Sequence, residues 1–209
     1  MRFILVILIF GTAQAFGQAI KNMNPTLGYL VDLSIEGEAK YKKPELMDLG
    51  YYDVIGFPFE FTGESSSNLE PDSIAYSANN AIDLSYKTAW VEGVAGYGIG
   101  ESLTIHFLTD YPIIGKLVFV NGWVRSKELW DAFSRPKTLD MLVNGKPFAI
   151  LNLANTKQEQ TFSFEAGDWA GFNGKSWTME FRILDVYMGD RYEKTAITEI
   201  YVGGLIVDK

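Results

Sequence analysis

Hydrophobic residues recur at every second position along most of this chain, and that period limits what it can fold into. Leu103, Ile105 and Phe107 fall on one side of a run, Thr104 and His106 on the other. Leu117, Phe119 and Asn121 oppose Val118 and Val120. Phe162 pairs with Phe164, and Phe181 and Ile183 with Asp185. Ile197, Glu199 and Tyr201 share a face against Thr198, Ile200 and Val202. Successive side chains of a strand point to opposite faces, so these runs read as strands with a buried side. Between them stand Asn121-Gly122, Asn144-Gly145, Asn173-Gly174, Gly189-Asp190 and Gly203-Gly204, which are turn signals. Closely spaced strands broken by such turns predict an all-β sandwich or barrel. Helix is expected only over Pro44–Leu49, with a second short turn over Lys127–Phe133.

Composition removes most catalytic chemistries. With no cysteine there is no disulfide framework, thiolate zinc site or cysteine nucleophile. One histidine, His106, leaves almost nothing for a Ser-His-Asp triad, and its place on a polar strand face reads as solvated surface. A net charge of −8 argues against a nucleic-acid partner. Residues 1–18 carry one cation, Arg2, then the apolar run Phe3–Phe10 and the Ala13-Gln14-Ala15 step of a secretory signal peptide. The run is too short to span a bilayer, no later segment is long enough, and a secreted, periplasmic or surface location is expected. A polar stretch at Gly63–Asn68 divides an N-terminal extension, residues 19–62, from a main domain, residues 63–209. The extension holds strand-like runs at Leu27–Leu33 and Val54–Phe61 and is expected to pack on or beside the domain.

Several motifs could carry function. Gly93–Gly100 is glycine-rich, but a strand follows it where a nucleotide loop would open a helix, so a flexible or close-packed loop is expected. Asp83 and Thr88 lie in a compact polar loop before Trp90, with oxygen ligands that suit Ca²⁺ if Glu199 joins from a distant strand. The competing reading is an Asx turn with Asp83 capping its own backbone. Trp123 with Arg125, and Trp130 with Arg135, are candidate sugar contacts, together with Tyr97: a ring stacks on a sugar's apolar face while a guanidinium bonds its hydroxyls. The competing reading places these rings in the core. Asp185 with Glu199, or Glu92 with Glu101, could form a glycosidase pair, but sequence shows no separation between them.

The stretches Ala78–Asp83, Thr88–Gly93, Gly96–Glu101, Asn121–Trp123, Arg135–Lys137, Asp185–Tyr192 and Thr195–Glu199 occur in the order of a known family. Residues 64–203 resemble discoidin-like, galactose-binding-like domains, with the bacterial NAD-glycohydrolase-type glycan-binding (translocation) domain as the nearest branch. The resemblance implies an eight-stranded jelly-roll β sandwich, a binding face on loops at one end, and a structural Ca²⁺ held by Asp83, Thr88 and Glu199. It departs where the usual Asp-Gly pair is Asp83-Leu84, and where Phe133 replaces a polar residue before Ser134-Arg135-Pro136-Lys137. The family's NAD-cleaving activity lies in a separate domain, so no enzyme is expected. The expected function is non-catalytic binding of a glycan or cell-surface polysaccharide. A cell-envelope protein is the alternative partner, and a carboxylate-pair glycosidase the third reading.

Overall fold

The structure, a computed structural model, describes residues 20–31, 61–70, 76–107, 114–169 and 177–205. The signal segment, the Pro44–Leu49 helix and the strand run at 54–60 lie outside the described residues. Among the described residues there are eleven strands: β1 Lys21–Met23, β2 Thr26–Leu30, β3 Phe61–Ser65, β4 Trp90–Val91, β5 Ser102–Phe107, β6 Ile114–Asn121, β7 Phe133–Val143, β8 Lys146–Asn152, β9 Gln158–Ser163, β10 Trp177–Tyr187 and β11 Tyr192–Leu205. An α-helix, α1, covers Lys127–Ala132, where the sequence suggested a short turn.

The strands form two layers. One runs β3-β5-β10-β7-β8-β1, the other β2-β9-β6-β11-β4. A short parallel pairing of Tyr192 and Thr195 in β11 with Phe133 and Ser134 in β7 joins them at one corner. Alternation explains the packing: Leu103, Ile105 and Phe107 meet Met179, Phe181, Leu139 and Met141 from one layer, and Leu117, Phe119, Phe162 and Ile200 from the other. Phe119 spans the gap, its ring edge-on to Phe181 at 5.2 Å. The β7–β8 hairpin turns at Asn144-Gly145, both with positive φ (50° and 72°), as the sequence pair demands.

Three departures from strict alternation matter. A bulge after Ile183 turns Asp185 outward to bond Lys137 at 2.6 Å, so Asp185 does not share a face with Phe181. In β11, Ile197 and Ile200 both enter the core, so the inward face switches between them and Glu199 points away from Ile197's side. The strands beyond the implied eight include β1 and β2 of the extension: β1 lies on β8 in one layer, β2 on β9 in the other.

Candidate functional site

The register gathers one set of loops at one end. Arg135 of β7 lies beside Tyr187 of β10, β11 starts beside Phe133, and Leu153 receives a 3.0 Å hydrogen bond from the Tyr187 hydroxyl. Loops 92–101, 122–126, 153–157 and 188–191 therefore form one crest. The opposite end is closed by an aromatic plug. Trp177 stacks on Phe107 at 4.1 Å and Trp169 on Phe148 at 4.9 Å, and the Trp169 indole donates to the Ile114 carbonyl at 2.9 Å.

The tryptophans expected to offer ring faces at the crest are buried. Trp123 is 2% exposed and packs with Ala89, Val91, Phe133 and Ala196; its indole N–H is buried without a partner. Trp130 is 8% exposed, between Val31, Val120 and Val124. Arg135 is buried as well, its guanidinium carbon 4.4 Å above the Trp130 ring. Its Nε donates to Asn155 Oδ1 at 2.7 Å and its Nη1 to the carbonyls of Trp130 and Phe133 at 3.1 and 3.2 Å. Gly122 (φ +69°) touches the Trp130 ring so closely that a Cβ there would lie 2.7 Å from it. Apolar demand draws these rings inward, and they brace the crest from below. Phe133, the departure from the family pattern, completes this ring cluster 5.1 Å from Trp123 and 4.8 Å from Tyr192. Arg125 is exposed and Tyr97 half-buried.

A second cluster lies in the loop that precedes β4. Asp83, Ser85, Thr88 and Glu199 converge, although 111 positions separate Thr88 from Glu199 in the chain (199 − 88). The Ser85 N–H donates to both Asp83 Oδ1 (2.8 Å) and Glu199 Oε2 (3.1 Å), so one amide hydrogen draws two carboxylates together. The Thr88 hydroxyl donates to Asp83 Oδ2 at 2.7 Å. The Asx turn is thus present, and it coexists with convergence of the second acid. Leu84 takes a left-handed backbone (φ 58°), the conformation that a glycine adopts without strain. Glu199 is fully buried, and burial first, then the charge of Asp83, pushes its carboxyl up to about 9. Its Oε1 has no hydrogen-bond partner. A buried carboxylate oxygen without a donor, on a carboxyl group that shares the Ser85 N–H with Asp83, is a fitting place for a hard cation. Among the described residues no cluster joins three or more His, Cys, Asp or Glu side chains, so hydroxyl and backbone oxygens would complete such a shell.

The acids of both suggested pairs have partners of their own. Asp185 is held by Lys137 and Glu199 by Ser85. Glu92 accepts backbone N–H groups, while Glu101 accepts the Ser66 hydroxyl at 2.5 Å. His106 is partly buried and bonds Glu64 across β3 at 2.9 Å. A buried acid that went unnoticed in the sequence is Glu159 of β9, which accepts the Tyr86 hydroxyl at 2.8 Å. Its neighbour Tyr201 has its hydroxyl pKa raised, by burial first and then by Glu159. Glu159 stands within the strand run of β9, and a carboxylate at that place was the available signal.

Among solved structures, the chain resembles one of Clostridium perfringens ZmpB containing two family 32 carbohydrate-binding modules and an M60 catalytic domain. Identity is 12%, the match covers 90% of this chain and 17% of that one, and the TM-score is 0.53. The family 32 module of C. perfringens NanJ, solved with galactose, shows 13% identity over 68% of this chain and 92% of that one, at TM-score 0.49. An F5/8 type C domain from Bacteroides fragilis shows 17% identity over 68% and 89%, at 0.40. No curated protein matches the chain. Residues 56–203, well over half of the sequence and all of the sandwich from β3 to most of β11, match one family pattern throughout, and the chain belongs to the NAD glycohydrolase translocation F5/8 type C domain family.

Proposed function

We propose that this protein is a secreted, non-catalytic module that binds glycans at the crest and holds a structural Ca²⁺ at Asp83, Thr88 and Glu199. The crest carries the reading: buried Trp123, Trp130 and Arg135 stiffen it, while exposed Arg125 and half-buried Tyr97 remain to meet a ligand. A rigid support under a few polar contacts is what a shallow sugar site needs. Membership of the F5/8 type C family and the sandwich shared with family 32 modules agree with it. The orphaned Glu199 Oε1 supports the cation. The separate ties of Asp185, Glu199, Glu92 and Glu101 favour binding over hydrolysis.

A glycan panel titrated to millimolar concentration tests this, with a dissociation constant near 10⁻⁴ M, about −5 kcal/mol, expected for one sugar site. Arg125→Ala should weaken binding about tenfold, with stability changed by no more than about 0.5 kcal/mol. Trp130→Ala should instead destabilise the fold by about 3–5 kcal/mol. A flat response across the panel overturns the reading. The second reading, a protein-binding domain of the cell envelope, is favoured by exposed Leu27, Tyr29 and Leu30 on β2, and predicts that same flat response.

A further inference from the structure

The glycine-rich loop 93–100 is organised around one carboxylate. Glu92 ends β4's run with no exposed surface. Its Oε2 accepts the Val94 N–H at 2.9 Å and its Oε1 the Thr195 N–H at 3.2 Å, so one acid ties the loop's first turn to β11. The Glu92 N–H bonds the Thr195 carbonyl at 3.1 Å, and the Thr195 hydroxyl donates to the Tyr97 carbonyl at 2.7 Å. Lys194 Nζ donates to the Val94 carbonyl from the other side. Gly98, at φ +68°, folds back on to the acid: a Cβ there would lie 2.4 Å from Glu92 Cγ. The charged groups facing Glu92 are Lys194 and Glu101, and Glu101 is itself held by Ser66.

We propose that Glu92 is a positioning residue: its buried carboxylate sets the loop that presents Tyr97 at the crest, and Gly98 is the complementary residue that lets the loop close over it. Both carboxylate oxygens are engaged by backbone donors, so Glu92 is not a free acid for chemistry. The effect on ligand affinity rests on the glycan reading; the effect on the loop does not.

The test uses the full chain with Glu92→Gln. A carboxamide has one acceptor oxygen and turns an N–H₂ toward the other donor. Amide hydrogen exchange at Val94, Thr195 or both should then rise about tenfold or more, while Met141 and Phe181 in the core stay protected. Unchanged exchange at both amides overturns the proposal. If Glu92→Gln loses its fold, Gly98→Ala decides by the same two amides, because its methyl meets Glu92 from the loop side.

Galactose is the affinity probe, read beside the Ca²⁺-induced rise in Tm. Binding by wild type, weakened about tenfold in Glu92→Gln with the Ca²⁺ response intact, supports positioning at the ligand crest; a general structural role would move the Ca²⁺ response too. Equal galactose binding by both proteins, despite raised exchange, overturns that link. No response from wild type, with exchange raised in the variant, counts against galactose as ligand and leaves Glu92's hold on the loop supported.

Discussion

Leu84 shows what one residue concedes to a site. It holds a left-handed backbone, φ 58°, between Asp83 and Ser85, while 59% of its surface is exposed. A side chain with a Cβ is disfavoured there by roughly 1–2 kcal/mol. Little packing offsets that, and the gain is local: the turn brings Ser85 N–H under both Asp83 and Glu199. Leu84→Gly should therefore stabilise the protein, although glycine's freer unfolded chain takes back about 0.4–1 kcal/mol. A net gain of about 0.5–1 kcal/mol is expected in chemical denaturation at saturating Ca²⁺. A midpoint that fails to rise would show that Leu84 makes contacts worth more than its backbone strain.

The loop 82–88 and strand β11 act together as an element pair that meets at Glu199. Glu199 sits at about 9 in the cation-free fold, against 4.5 when unperturbed, so the folded state holds its proton more tightly than the unfolded chain does. The sign follows: cation-free stability from this group falls as pH rises from 4.5 toward 9. A cation must displace that proton, so Ca²⁺ affinity should climb as pH rises, by up to about tenfold per unit between roughly pH 6 and 8. Thermal melts with Ca²⁺ and with chelator at both ends of that range read the effect, and Glu199→Gln should abolish it. A Ca²⁺-induced shift of equal size at both ends would refute displacement of the proton.

This pair also shows what the sequence makes legible. Asp83, Thr88 and Glu199 could be brought together because a loop acid, a loop hydroxyl and a late strand acid matched a family order. The alternation of Leu103, Ile105 and Phe107 placed β5 unaided, since a half-buried strand leaves no other face for them. The face switch between Ile197 and Ile200 was not legible, because it depends on pairing with β4, β6 and β7 in succession. Nor was the depth of Trp123 and Trp130. A loop position suggests exposure, but burial depends on whether Phe133, Val31 and Ala196 arrive from distant segments to cover the ring.

At the scale of the whole molecule, residues 20–31 of the N-terminal extension are part of the sandwich and touch the loop 82–88. β1 pairs with β8, and Lys21 bonds Asp168. β2 pairs with β9, where Gly28 lies against Glu159 so closely that a Cβ would stand 3.2 Å from the Glu159 Cβ. Val31 is buried against Val120, Val124 and Trp130, with Tyr86 packed on the same cluster, and its N–H bonds the Lys157 carbonyl at 3.2 Å. Tyr86 belongs to the loop 82–88 and donates to Glu159, so loop and extension share one buried support. A chain of residues 32–209 should therefore be less stable than one of residues 19–209. Loss of Val31's burial alone is worth about 2 kcal/mol, or roughly 4–8 °C in Tm at this size. Its Ca²⁺ affinity should fall as well, because Tyr86 loses Val31 as a packing partner and Glu159 loses its cover. Denaturation and Ca²⁺ titration of the two chains measure both effects. Equal Ca²⁺ affinity with lowered stability would confine the extension to the sandwich edge, and equal stability would remove it from the folded unit altogether.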